Sequence, residues 1–139
     1  MVFLDTSVVV AFYIPESLSP RVQELFSSDT PLAICSLTQV EFCSAIARLI
    51  RMKTIDKPTG QHVVATFQDH VDRQLYSFCP ITQREYDLAR TWLRSFQTSL
   101  RTLDCLQLAV AHGHGLPLVT ADKALARAAR QLDVNVQTL

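Results

Sequence analysis

The chain has few of the residues that mark disulfide-stapled or loop-rich proteins. Only three glycines and six prolines occur in 139 residues, which predicts regular structure joined by short connections. The cysteines Cys35, Cys43, Cys79 and Cys105 form no Cys-x-x-Cys pair, and each lies in an apolar stretch. A secreted disulfide framework is therefore a poor explanation. We expect buried, reduced cysteines in a cytosolic protein.

An excess of charge of either sign and long apolar runs are also missing. The net charge is zero, which disfavours a protein that coats nucleic acid without selectivity. It still permits a nucleic-acid enzyme with a local basic patch. No run approaches the roughly 18 apolar residues of a membrane helix, and the first residues show no basic, signal-like segment. We expect a cytoplasmic protein without membrane association.

Short apolar runs alternate with amphipathic segments along the whole chain. Strands are predicted at 2–4, 32–35, 76–80, 117–119 and 134–136. Helices are predicted at 8–13, from 19 onwards, and at 36–52, 57–75, 82–96, 103–112 and 121–132. This alternation is typical of an α/β protein with a central parallel sheet of about four or five short strands flanked by helices. One domain covering residues 1–139 is the expectation.

Two helices carry predictions at the level of single residues. In the helix at 36–52, the expected apolar stripe consists of Val40, Cys43, Ala47 and Ile50. The helix that Thr82 opens is predicted to run through Tyr86, Ala89, Leu93 and Phe96. Both predictions can be tested directly against the structure.

Four acids stand where a metal-dependent nuclease would need them. Asp5 and Asp122 follow two predicted strands, and Glu41 and Asp104 lie near the starts of two predicted helices. The carboxyl ends of parallel strands share one edge of a sheet, where open α/β sheets bind ligands. Clustered carboxylates repel one another unless protons or a cation compensate them, and magnesium prefers oxygen ligands. The pattern therefore indicates phosphodiester chemistry.

Each acid also has an ordinary structural explanation. Asp5 and Asp122 could cap helices, Glu41 could complete a capping box with Thr38, and Asp104 could complement a helix dipole.

Nearby hydroxyls have similar alternatives. Thr6 or Ser7 can cap the first helix. Ser7 and Thr120 could instead orient the acids, although capping is the simpler expectation for them.

Four short segments give the chain a family resemblance. They are Asp5-Thr6-Ser7, the Thr-Gln-Val-Glu-Phe-Cys-Ser-Ala-Ile stretch around Glu41, Leu103–Ala109, and Leu118–Asp122. In this order they resemble PIN-domain ribonucleases over nearly the whole chain, and the nearest likeness is to the VapC toxins of type II toxin–antitoxin pairs. One departure is Cys105, where the family more often has alanine.

The resemblance implies a function and a site. In that family the matching acids form a magnesium or manganese site that cuts RNA, so Asp5, Glu41, Asp104 and Asp122 would be the catalytic and metal-binding residues. It also implies a cognate antitoxin and a homodimer. The alternatives are a non-catalytic module of the same fold that binds RNA or antitoxin, with the acids as caps, and a metal-dependent DNA nuclease.

Other charged residues carry weaker indications. The basic residues that could track phosphates beside the acids, or form only a solvated face, are Arg48, Arg51, Lys53, Lys57, Arg90, Arg94 and Arg101. His112 and His114 lack zinc-site spacing and are better explained as helix-end cations.

Overall fold

The computed structural model describes residues 1–15 and 19–139. The described elements are β1 (Val2–Leu4), α1 (Thr6–Tyr13), α2 (Ser19–Ser27), β2 (Leu32–Ile34), α3 (Ser36–Arg51), α4 (Lys57–Asp72), β3 (Ser77–Phe78), α5 (Gln83–Arg94), α6 (Thr102–Gly113), β4 (Leu118–Thr120), α7 (Lys123–Gln131) and β5 (Val136–Thr138). The five strands form one sheet in the order β3-β2-β1-β4-β5, and all pairs are parallel. The predicted α/β class is confirmed.

The central strands are apolar except for Thr120 at the end of β4, because helices cover both faces of the sheet. All residues of β1, β2 and β4 are buried. Phe3 lies opposite Ala33 on one side and Leu118 on the other. The chain winds outward from β1 to β2 and β3, and then reaches β4 on the opposite side of β1. Strands β1 and β4 therefore flank the switch point where such sheets bind ligands.

Alternation along β1 divides the core into two layers. Val2 and Leu4 belong to one hydrophobic cluster, together with Phe42 of α3 and Phe67 of α4. Phe3 belongs to the opposite cluster, which includes residues of α6 and α7. Successive strand side chains point to opposite faces, so three residues are enough to anchor both layers.

Helix α6 is the most deeply placed helix of the second layer. Its residues from Cys105 to Ala111 are all buried, and Gly115 follows with a positive φ of 66°, as predicted for the helix end. Even so, no helix in the described ranges is long and apolar enough to cross a membrane.

The predicted stripe of α3 is wrong for Val40 and Cys43, whereas Ile50 packs partly buried against the core. The buried residues of this helix are Thr38, Phe42 and Ile46, whereas Val40 is 66% exposed and Cys43 is exposed. The sequence offers two apolar stripes at helical spacing, and packing against α1 and α4 selects the one that carries the phenylalanine. The expectation of burial holds for the other three cysteines, Cys35, Cys79 and Cys105.

The end of α5 also differs from the prediction, which extended the helix through Phe96. The buried residues are Glu85 and Ala89, while Tyr86 is 51% exposed. The helix ends at Arg94, and Phe96 adopts a positive φ of 55° and is 93% exposed. A left-handed residue just beyond a helix stops it, so Phe96 does not continue the apolar face.

Candidate active site

Asp5 follows β1 directly and is only 6% exposed. Its backbone N–H donates to the Val119 carbonyl at 3.0 Å, which continues the pairing with β4. The hydroxyls of Ser7 and Thr120 both donate to Asp5 Oδ2, at 2.6 Å and 2.9 Å. Asp5 makes no side-chain cap of α1. The simpler expectation of capping is therefore wrong for Ser7, and Thr120 serves to hold Asp5 in place.

Glu41 projects from α3 and is partly buried. Its Oε1 accepts a hydrogen bond from the Thr6 hydroxyl at 3.2 Å and another from Gln107 Nε2. The capping box of α3 instead joins Cys35 and Thr38. Glu41 therefore does not complete a capping box. Thr6 is the first residue of α1 and also donates a hydrogen bond to Glu41.

Asp104 lies on α6, the helix before β4, and Asp122 lies between β4 and the next helix, α7. Asp104 lies in the first turn of α6. Asp122 is the N-cap of α7, and its Oδ1 accepts from the backbone N–H groups of Ala124 and Leu125 at 2.8 Å and 3.1 Å. The capping explanation is thus correct for Asp122, whose second carboxylate oxygen is not needed for the cap.

Asp5 lies close enough to Glu41, Asp104 and Asp122 for their negative charges to repel one another. Burial is the main cause that raises the pKa of Asp5, Glu41 and Asp104. The charge of Asp5 raises the pKa of Glu41 and Asp104 further, and the charge of Asp122 does so for Asp5 and Asp104. Arg101 acts in the opposite direction on Asp104. The region therefore favours protons or added cations.

The donor chemistry fits a hard divalent cation, which prefers carboxylate oxygens. The four side chains supply only oxygen, and three of them, Asp5, Glu41 and Asp122, accept hydrogen bonds from neighbouring donors. Over residues 1–15 and 19–139, however, no group of three or more His, Cys, Asp or Glu side chains is already arranged to hold a metal ion. A cation would therefore have to draw these carboxylates together.

An apolar groove opens beside Glu41. It has a volume of about 640 Å³, and its lining includes Thr6, Glu41, Leu103, Arg48 and Arg51. A smaller recess is lined by Glu41, Arg101, Thr102, Leu103 and Asp104. Three of the basic residues noted in the sequence thus face the surface next to the acids, and the groove offers both apolar and cationic contacts.

Sequence reasoning missed Gln107. It is 1% exposed, and its Nε2 contacts both Glu41 Oε1 and Thr6 Oγ1, the latter at 2.7 Å. The one available signal was its position three residues after Asp104, which puts both side chains on the same face of α6. An amide inside an otherwise apolar helix segment has to find partners.

This chain belongs to the PIN domain family. The family model matches residues 2–131, which include all four acids and every strand from β1 to β4. No curated protein sequence matches the chain significantly.

Solved structures of low sequence identity share the fold. The VapBC2 complex of Rickettsia felis, bound to a DNA fragment from its promoter, matches with a TM-score of 0.71 at 17% identity, covering 100% of this chain and 99% of that one. VapC20 of Mycobacterium tuberculosis, a toxin that cleaves the sarcin–ricin loop, matches with a TM-score of 0.71 at 17% identity over 92% and 95%. FitAcB of Neisseria gonorrhoeae matches with 0.71 at 19% identity over 98% and 96%.

Proposed function

We propose that this chain is a divalent-metal-dependent endoribonuclease and the toxin of a type II toxin–antitoxin pair. The observation that carries the proposal is that Asp5 directly follows β1, is held by Ser7 and Thr120, and lies near enough to Glu41, Asp104 and Asp122 for their charges to interact with its own. Burial and mutual repulsion raise the pKa of three of these acids, and within the described residues none of the four forms a salt bridge. Membership of the PIN domain family adds support.

The four acids would hold magnesium or manganese, with Asp5 and Asp104 as the first choices for direct ligands. Such an ion, when bound, would activate water and offset negative charge on the leaving oxygen. The protein's own part is to keep the carboxylates in place: Ser7 and Thr120 hold Asp5. Two donors on one oxygen restrict the rotation of a carboxylate and lower the entropy cost of binding.

The groove beside the acids would receive the RNA strand. Arg48 and Arg51 line it together with Glu41, and Arg101 lies in the recess with Asp104. Phosphate contacts from arginines fix the register of a nucleic acid, while apolar surface can accept unstacked bases. RNA as the substrate is supported by the structural likeness to a toxin that cleaves the sarcin–ricin loop.

The proposed partners are a cognate antitoxin and a second copy of the chain. Several solved structures of this fold are VapBC or FitAB assemblies, some of them on DNA. We expect an antitoxin that is co-expressed with the chain to bind it and to block cleavage, and we expect the free toxin to form a homodimer. Size-exclusion chromatography with light scattering measures both states.

The deciding experiment is cleavage of labelled structured RNA by the purified, antitoxin-free protein. It is run with magnesium, with manganese and with chelator, alongside Asp104→Asn. Asp69→Asn is the matched control, because Asp69 is an exposed acid of α4 that pairs with Arg73 and lies outside the proposed site. We expect metal-dependent cutting that Asp104→Asn loses and Asp69→Asn keeps.

The same assay separates the alternatives. Cutting of a DNA competitor in preference to RNA would make the protein a DNA nuclease. RNA or antitoxin binding that needs no metal, with no cutting by folded protein on several RNAs, would contradict the nuclease proposal and favour a non-catalytic binding module whose acids serve as caps.

A further inference from the structure

We infer that Gln107 is a positioning residue that, together with Thr6, aims the carboxylate of Glu41 at the cation and substrate. The inference rests on the proposed nuclease function and names a further residue for it. Gln107 comes from α6, Thr6 from the start of α1 and Glu41 from α3, so the contact joins three separate elements.

Every side-chain hydrogen-bond donor of Gln107 and Thr6 is used within this contact. One N–H of the Gln107 amide donates to Thr6 Oγ1 at 2.7 Å and the other donates to Glu41 Oε1. The Thr6 hydroxyl in turn donates a hydrogen bond to the same Oε1 at 3.2 Å. The reverse orientation of the amide would place its oxygen against a carboxylate oxygen. The network therefore fixes the amide orientation and requires Glu41 to accept.

Both donors approach the same oxygen of Glu41. Within the described residues, Glu41 Oε2 accepts no hydrogen bond, so it is the oxygen that a cation or a phosphate-bound group can use. A carboxylate with one oxygen clamped and one free presents a directed ligand. Comparable outer contacts orient metal ligands in proteins generally.

Stability alone does not explain an amide at this position. Gln107 Oε1 is the only buried side-chain nitrogen or oxygen in the described part of the chain without a hydrogen-bond partner. An unsatisfied buried acceptor costs about 1–3 kcal/mol, which is as much as a hydrogen bond to a charged group contributes. An unbranched apolar side chain would fill the same space without that cost. The gain from the amide therefore lies in the placement of Glu41.

The experiment measures manganese affinity by the electron paramagnetic resonance signal of free Mn²⁺, which does not depend on cleavage. Gln107→Met removes the amide while keeping an unbranched side chain of similar length. We expect its Mn²⁺ dissociation constant to rise by about 10–100-fold, the usual effect of losing such an outer contact, while the midpoint of urea unfolding stays the same or rises. In RNA cleavage, the loss should appear in kcat, with KM little changed.

Matched variants separate positioning from packing. Thr6→Val should weaken Mn²⁺ binding as Gln107→Met does, and Thr6→Ser, which keeps the hydroxyl, should bind like the wild type. Val110→Ala is the packing control. Val110 is fully buried on the same helix and belongs to the hydrophobic cluster that contains Phe3. It should lose stability and keep its affinity.

The outcomes distinguish this inference from the proposed function. Equal Mn²⁺ affinity in the wild type and Gln107→Met, with intact cutting, would overturn the role of Gln107 alone. A folded wild type that binds no Mn²⁺ would overturn the metal-dependent nuclease and this inference together. Weakened binding by both Gln107→Met and Thr6→Val, rescued in Thr6→Ser, supports the inference.

Discussion

Two buried acids, Glu85 and Asp5, differ in whether their surroundings stabilise the charged carboxylate. Glu85 is 2% exposed and Asp5 is 6% exposed. Glu85 accepts from the Thr82 N–H and hydroxyl at 2.8 Å and 2.5 Å and pairs with Arg84 at 3.3 Å. The Thr82 hydroxyl is the main cause that lowers the pKa of Glu85 to about 2, whereas burial raises the pKa of Asp5.

The difference lies in the neighbours of each acid. Glu85 has a backbone N–H and a guanidinium beside it, so its charge is compensated within α5 and stabilises the fold. Asp5 accepts from two hydroxyls and from the Thr6 backbone, but burial outweighs these donors in setting its pKa, and the charge of Asp122 adds to the repulsion. A buried acid whose charge is stabilised by nearby donors and cations contributes to the stability of the fold. Buried acids without such compensation at the edge of a sheet are typical of a functional site.

The largest effect should come from Asp5→Asn. We expect cleavage to fall by at least about 100-fold, more than the loss of an outer contact to a ligand usually causes. The urea midpoint of the metal-free protein should stay the same or rise, because a buried charge among like charges is removed. Single-turnover cleavage and urea unfolding measure the two. Undiminished cutting by metal-saturated Asp5→Asn would contradict its place in the site.

Glu85→Gln should have the opposite profile. Its neutral amide cannot replace the charge that accepts from Thr82 and pairs with Arg84, so we expect a loss of about 1–3 kcal/mol in the free energy of unfolding. Cleavage at a temperature where the variant is folded should stay unchanged. Urea unfolding and the RNA assay check this prediction, and a variant as stable as the wild type would remove the contrast with Asp5.

The dependence of the free energy of unfolding on pH should show the effects of both the acids with raised pKa values and the acid with a lowered pKa. Asp5, Glu41 and Asp104 have raised pKa values, so the folded state binds more protons than the unfolded one. The metal-free protein should therefore become more stable as the pH falls from neutral through those raised values.

The same curve should turn over at more acidic pH. The pKa of Glu85 is lowered from 4.5 to about 2, so the stability it contributes is lost as the pH falls between those values. Urea unfolding across pH in chelator tests the sequence of gain and loss. Glu85→Gln should lack the acid-side loss, and a stability that only falls below neutral pH would refute the raised pKa values.

The smallest effect should come from Gly113→Ala at the end of α6. An added Cβ would lie 2.9 Å from Glu85 Oε1 and 3.5 Å from an Arg84 nitrogen, so the compensated carboxylate has to shift. The alanine gains about 1 kcal/mol of helix propensity, which offsets part of that cost. We expect a net loss of a few tenths of a kcal/mol in urea unfolding. A clear gain would mean that Glu85 is less tightly held than its contacts indicate.

Much of the strand edge was predictable from the sequence. Asp5 and Asp122 follow short apolar runs, and a run buried on both faces is a local signal for a central parallel strand. Their meeting at one edge follows from parallel connections with helical crossovers. The placement of these two acids at strand ends therefore needed no knowledge of distant contacts, whereas the order of the strands became known only from the structure.

The contacts of Glu41 were not predictable in the same way. Its spacing from Thr38 matches a capping box, and the true partners, Thr6 and Gln107, lie 35 and 66 residues away. The buried stripe of α3 failed for a related reason, because two apolar stripes have the same helical period. Only packing against other elements decides between such local alternatives.

The exposed side of α3 has a practical consequence. Cys43 lies on that side, and with Ala47, Ile50 and Val64 it lines a groove between α3 and α4. The other three cysteines are buried, so a thiol-reactive fluorophore should label Cys43 first in the native chain. The protein thereby carries its own attachment point for a reporter, and a shift in its emission would register whatever enters that groove, without any engineered substitution.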